Sequence, residues 1–229
     1  MRMSDRVAAV VPAAGRGERL GGAIPKALRG LAGRTLVQHA VDSLLSATLV
    51  NQVVVAAPAT ELETFVALLG PDVHVIAGGA ERIDSVRAAI SVLDETVGVV
   101  LVHDAARPLT PPALVDAVAA AVLSGAPAVI PVLAINDTIK QVDGAGRVAR
   151  TLPRDVLRAV QTPQGFRRDV LDEAYRFGGT ADGVAITDDA GLVEALGVPV
   201  TTVPGAQEAF KVTRPVDLLF AEALLARRG

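Results

Sequence analysis

Short apolar runs alternate along the chain with stretches in which apolar residues return at helical spacing. Val7-Ala8-Ala9-Val10-Val11 reads as a buried strand, and Val37, Ala40, Val41 and Leu44 place an amphipathic helix over about 35–45. Val53 to Ala57 predicts a second strand, Glu61 to Leu69 a second helix and Val73 to Ala77 a third strand, with Pro and Gly at the boundaries. Val86, Ala89, Ile90 and Leu93 carry the next helical stripe, ahead of a fourth strand at Val99 to Val102. Thr110-Pro111-Pro112 then opens a helix, with Thr110 as capping hydroxyl and Leu114, Ala117, Val118 and Ala121 on the buried side, and Ala128 to Val132 follows as a fifth strand. Strand–helix alternation of this kind predicts an α/β fold with a doubly wound, mostly parallel sheet.

From Leu133 to Val160 the pattern changes. Polar and apolar residues alternate on both sides of the turn Asp143-Gly144-Ala145-Gly146, as in a β-hairpin. Both arms carry charge and neither has an obvious buried face, so the hairpin is marginal alone and is expected to lie against a second subunit. It defines a β-arm over about 134–158. Gln161-Thr162-Pro163-Gln164-Gly165-Phe166 returns the chain to the body, a helix follows over 168–177 and a loop over 178–184. Thr187-Asp188-Asp189 opens another helix, Val200 to Pro204 is the last strand, and Val216, Leu219, Phe220 and Ala223 give the closing helix.

Composition narrows this picture. At 229 residues the chain has the size of one α/β domain with an excursion, and 51% hydrophobic against 3% aromatic residues means a core of Ala, Val and Leu. With 22 basic and 25 acidic residues the net charge is −3, which speaks against a general nucleic-acid or membrane surface and leaves any anion site to local clustering. No cysteine is present, so disulfides, thiolate nucleophiles and cysteine zinc sites are excluded, and His39, His74 and His103 lack metal-ligand spacing. The amino-terminal apolar run is too short to span a bilayer and wrongly flanked for a signal peptide, which leads us to expect a cytoplasmic protein.

The candidate chemistry lies where strands end. The first strand delivers Pro12-Ala13-Ala14-Gly15-Arg16-Gly17-Glu18-Arg19, followed by Pro25-Lys26: small residues that let a polyanion approach backbone N–H groups, with positive charge close by. The spacing matches neither the dinucleotide fingerprint nor the P-loop, since Leu20 stands where the former requires glycine. After the third strand comes Gly78-Gly79-Ala80-Glu81-Arg82-Ile83-Asp84-Ser85, in which Asp84 and Ser85 fit either a helix cap or ligand donors. The fourth strand delivers His103-Asp104-Ala105-Ala106-Arg107-Pro108. Asp104 stands where a carboxylate could hold a hard cation such as Mg²⁺ or bond only to nearby amides, while His103 reads as structural. Thr187 and Asp188 are open to both a cap and a binding reading.

Taken in order, these motifs, with Asp137-Thr138-x-Lys140, Arg154, Gln161-Thr162-Pro163-Gln164, Thr187-Asp188 and Lys211-Val212-Thr213, resemble the 2-C-methyl-D-erythritol 4-phosphate cytidylyltransferases of the non-mevalonate isoprenoid pathway over nearly the whole chain. The resemblance implies one cytidylyltransferase domain over 1–229 whose arm embraces the partner of a homodimer. It further implies CMP transfer from CTP to methylerythritol phosphate with release of pyrophosphate, and Mg²⁺ as cofactor. Residue by residue, it implies nucleotide binding by Pro12, Ala13, Ala14, Gly15, Gly17, Arg19, Lys26, Gly78, Gly79, Ser85, Ala105 and Lys211. Asp104 would hold the metal. Arg107, Thr138, Arg154, Thr162 and Thr187 would handle the acceptor, Thr138 and Arg154 from the other subunit's arm, and the catalytic set would be Arg19, Lys26, Arg154 and Lys211. Ala209 departs from the family, which often has Asn there. The rival readings are a cytidylyltransferase for ribitol 5-phosphate and a non-catalytic nucleotide-binding regulator.

Overall fold

The computed structural model describes residues 4–15, 24–177 and 187–227. Arg16, Gly17 and Arg19, and the loop expected over 178–184, lie outside the described residues. The first strand, β1 (Arg6–Pro12), has its interior fully shielded, because Val7, Ala9 and Val11 pack into the core on one face of the sheet and Ala8 and Val10 into the core on the other. Two short strands, β2 (Gly30–Leu31) and β3 (Arg34–Thr35), lead into α1 (Leu36–Leu45). Thr35 caps this helix by accepting from Gln38 N, and Gln38 Oε1 accepts from Thr35 N, a reciprocal capping box. The alternation continues through β4 (Val50–Ala57), α2 (Leu62–Leu69), β5 (His74–Ala77), α3 (Arg82–Ser91), β6 (Val97–Val102), α4 (Pro112–Leu123) and β7 (Ala128–Ala134).

The pairing places a crevice. β1 lies between β4 and β6 and is parallel to both, and β5 extends the sheet beyond β4. The chain therefore winds outward from β1 in one direction, then returns on its other side as β6. Such a reversal leaves an opening outside the carboxyl ends of the two central strands, where Pro12 to Gly15 and His103 to Arg107 emerge. Helices α1, α2 and α4 cover one face of the sheet. On the opposite face α3 is joined by α5 (Arg168–Phe177) and α6 (Asp189–Ala195).

After β7 the chain forms a hairpin of its own, β8 (Ile139–Val142) paired antiparallel with β9 (Val148–Leu152). Asp143 Oδ1 accepts from Ala145 N and Arg147 N, and Gly146 takes φ 77°, which closes the turn. Val142, Val148 and Val156 on this arm are 55%, 60% and 76% exposed. The chain rejoins the sheet through β10 (Arg158–Val160), whose Arg158 pairs with Ala134.

Three local expectations are corrected. The segment 164–167, expected only to return the chain, forms β11 (Gln164–Arg167), an antiparallel strand between β6 and β7. Gly165 is required there, since a Cβ would meet Val118 Cγ1 of α4 at 2.7 Å. Thr110 does not cap α4: its hydroxyl donates to Arg107 O at 3.2 Å, Pro111 takes the capping position, and the buried stripe runs through Leu114, Val115, Val118, Ala119 and Val122, with Ala121 partly buried against the same core and Ala117 exposed. After β12 (Val200–Pro204), which adds to β7 in parallel, the closing helix α7 (Pro215–Leu225) has the expected period but faces the other way. Ala221 is buried, with Leu218, Leu224 and Leu225 packed toward Leu31, Leu36, Leu109 and Val212, while Val216, Leu219 and Phe220 point outward.

Candidate active site

A cavity of about 220 Å³ opens at the carboxyl edge of β1 and β6. Pro12, Ala13, Ala14, Gly15, Lys26, Gly79, Ser85, Asp104, Ala105 and Lys211 all line it, so groups from five remote parts of the chain meet there. Gly78 stands just behind the wall: its N–H donates to Ala57 O at 2.8 Å, and a Cβ would meet Ala14 Cβ at 2.7 Å. Ser85, open to two readings from sequence, is a brace for the glycine turn. Its Oγ accepts from Gly79 N at 3.1 Å and donates to Glu81 O at 3.1 Å, while Asp84, in the first turn, accepts from the N–H of the N-cap residue Glu81 and completes a capping box.

The charges are ordered. Lys211 Nζ donates to Asp104 Oδ2 at 2.7 Å, and Arg82 Nε faces Asp104 Oδ1 at 3.4 Å. Arg82 Nη2 donates to Asp189 Oδ2 at 2.6 Å, and the Tyr175 hydroxyl donates to Asp189 Oδ1 at 2.6 Å. Burial pushes the Asp104 carboxyl up, but Lys211 and Arg82 together outweigh it and hold the group well below the usual carboxylate range. For Arg82 burial acts downward, and Asp189 with Asp104 more than reverses it, so the guanidinium stays charged. Neither Arg82 nor Asp189 carries a role in the sequence reading. The available signal was an arginine at the first turn of a helix that follows paired glycines.

Behind the cavity the His103 ring is buried and fully bonded. Thr162 Oγ1 accepts from Asp104 N at 3.0 Å, which orients its own proton toward His103 Nδ1 at 3.1 Å, leaving His103 Nε2–H to donate to Arg107 O at 3.3 Å. That pattern selects the neutral Nε2–H tautomer. Thr162 thus serves the loop backbone, not the cavity surface. Arg107 donates to Ala209 O at 2.6 Å and Val160 O at 3.1 Å, tying the root of the arm to the segment before Lys211. Ala209 serves here through its carbonyl, which needs no amide side chain. Thr138 and Arg154 lie on the arm, where Arg154 donates to Asn136 O, and exposed Thr187 precedes α6; none of the three lines the cavity. Asp188 caps α6 by accepting from Gly191 N at 3.0 Å and also accepts from Gln164 Nε2 at 2.8 Å.

Among the described residues no three His, Cys, Asp or Glu side chains gather as a metal site. Mg²⁺ does not need such a cage, because one carboxylate, substrate phosphate oxygens and water complete its shell. Asp104, ionised on the cavity wall, fits that single-carboxylate donor set.

A doubly wound sheet with a glycine loop, two lysines and an ionised aspartate at its switch point has the build of a nucleotidyltransferase. The family model described as 2-C-methyl-D-erythritol 4-phosphate cytidylyltransferase matches residues 7–227. A protein of that name from Frankia casuarinae is 70% identical over 224 residues, covering 98% of this chain and 83% of that protein. The crystal structure of the cytidylyltransferase of the same name from Thermus thermophilus superposes with a TM-score of 0.78 at 36% identity, covering 96% and 99% of the two chains. That of 4-diphosphocytidyl-2C-methyl-D-erythritol synthase from Anaerococcus prevotii gives 0.84 at 25% identity, with 97% and 96% covered. The chain belongs to the 2-C-methyl-D-erythritol 4-phosphate cytidylyltransferase family.

Burial lowers the His103 pKa to about 4 from its ordinary value near 6.5, Asp104 and Arg107 acting in opposite senses on it. The unfolded chain therefore binds a proton in this interval that the folded chain refuses, so stability is complete above about pH 6.5 and falls by about 3 kcal/mol toward pH 4. Denaturant titrations across this range should show the loss in the native protein and a shallower slope in His103→Gln; equal slopes would contradict the assignment.

Proposed function

We propose that this protein transfers CMP from CTP to 2-C-methyl-D-erythritol 4-phosphate, giving 4-diphosphocytidyl-2-C-methyl-D-erythritol and pyrophosphate. The observation that supports this most is the meeting of Lys26, Lys211, Asp104 and the two glycine segments around one cavity. The acceptor phosphate already carries its nucleophilic oxygen, so no side chain need act as a base. The task of the protein is to hold two anions in line and to offset charge at the α-phosphorus. Lys26 and Lys211 both line the cavity that would receive it, and the bare Ala13 to Gly15 backbone admits the triphosphate beside them. In this reading Lys211 passes from Asp104 to phosphate as the nucleotide enters. Gly79 and Ser85 shape the end of the cavity that takes the nucleoside.

Asp104 would hold Mg²⁺, which supplies charge neutralisation on the phosphate oxygens. The acceptor would meet Arg107 and Thr187 from one subunit and Thr138 and Arg154 from the arm of the other, in a cytoplasmic homodimer, with Thr162 holding the Asp104 loop from behind. The exposed valines of the arm are what a partner surface would cover.

Pyrophosphate release should be measured with CTP and each acceptor offered separately. Methylerythritol phosphate should support turnover, and activity with ribitol 5-phosphate alone would overturn the acceptor assignment. Lys26→Ala should stay folded and lose about a hundred- to thousandfold in turnover, the loss typical for removing one donor to transition-state charge, about 2.7 to 4 kcal/mol; near-normal turnover would remove Lys26 from the mechanism. The shared site has its own test in mixtures of Lys26→Ala and Arg154→Ala chains. A mixed dimer would hold one doubly impaired and one intact site, so activity should return on subunit exchange, and its failure to return after demonstrated exchange would place Arg154 within its own subunit's site.

A further inference from the structure

Lys211 faces a difficulty in the reading above. An ammonium 2.7 Å from an ionised, largely buried carboxylate must let go of it to reach a phosphate, and until a metal ion is held there a carboxylate left alone in such a place is strongly disfavoured. The second partner of Asp104 removes the difficulty. Arg82 occupies Oδ1 while Lys211 holds Oδ2, so the carboxylate keeps a cation when the lysine leaves. Arg82 in turn does not follow the nucleotide, because Asp189, 1% exposed, grips its other end through Nη2. Asp189 has its remaining oxygen filled by the Tyr175 hydroxyl, and Tyr175 is packed beneath Arg87 with the guanidinium 5.9 Å from the ring centre. Charge alternates along Lys211, Asp104, Arg82 and Asp189, so the row is neutral as it stands.

We propose that Arg82, anchored by Asp189 and Tyr175, is a positioning residue that holds Asp104 in place and so frees Lys211 to bind the nucleotide phosphates. The inference rests on the reading that Lys211 meets CTP. Its chemistry is specific to arginine, since one planar fork spans two carboxylates through different nitrogens and a lysine ammonium cannot. Without the fork, both Asp104 oxygens turn to Lys211 and the lysine is withheld from the ligand.

The experiment is a double-mutant cycle read by calorimetric binding of CTP. Native protein that fails to bind CTP would refute the functional reading itself. Given native binding, Arg82→Gln should weaken CTP about ten- to a hundredfold, and Arg82→Lys should recover little of the loss. In an Asp104→Asn background, where nothing withholds Lys211, Arg82→Gln should change affinity by less than about twofold. Native-like affinity in Arg82→Gln, or losses that simply multiply in the double variant, would overturn the proposal, the latter because Arg82 would then act without Asp104. Tyr175→Phe removes a single hydrogen bond and covers the case in which Arg82→Gln does not fold. It should weaken CTP about two- to fivefold in the native background and not at all beside Asp104→Asn, and an equal effect in both backgrounds would reject the relay.

Discussion

The structure turns on one carboxylate held between two cations. Asp104 leaves the end of β6 into a largely buried cleft, where its charge is tolerable only because Lys211 and Arg82 each take one of its oxygens. An unpaired charge in that position would be expelled or neutralised. The pairing therefore fixes where the segment after β12 and the amino-terminal end of α3 come to rest, and with them the two walls of the cavity. Thr162 accepting from the Asp104 N–H, and His103 accepting from Thr162, hold the same residue from behind.

The sheet makes this cluster possible without side-chain coincidence. Parallel strands β1 and β6 lie side by side and end at the same edge, so Pro12 to Gly15 after one and His103 to Arg107 after the other emerge together. Small residues keep the approach to backbone N–H groups clear, and charged residues gather beside them. The arm stands apart in its composition as well as its pairing. It holds charged arms around a short turn and leaves Val142 and Val148 in water, paired only with itself.

Much of this could be read from the sequence because its period is strong. Buried strands such as Val99 to Val102 and helices such as α1 and α3 follow directly from apolar spacing, and the glycine loop and Asp104 stood out because they follow strands. β11 escaped because Gln164 and Arg167 do not look like a central strand. Gln164 is buried only by virtue of bonds to Asp188 and the Ala190 N–H, partners the sequence does not announce. The closing helix misled for a different reason. Leu218, Leu219, Phe220, Leu224 and Leu225 make it apolar on several faces, so period alone does not choose which face meets Leu31 and Leu109. Arg82 and Asp189 are 107 positions apart, and only the wound sheet brings α3 and α6 to one side of it.

The most direct measurement is a crystal structure of the protein with CTP. The triphosphate should lie inside the cavity, against Ala13 to Gly15, with the nitrogens of Lys26 and Lys211 on phosphate oxygens and Asp104 still paired with Arg82. A nucleotide seated elsewhere, with Lys211 still on Asp104 and the cavity empty, would contradict this placement.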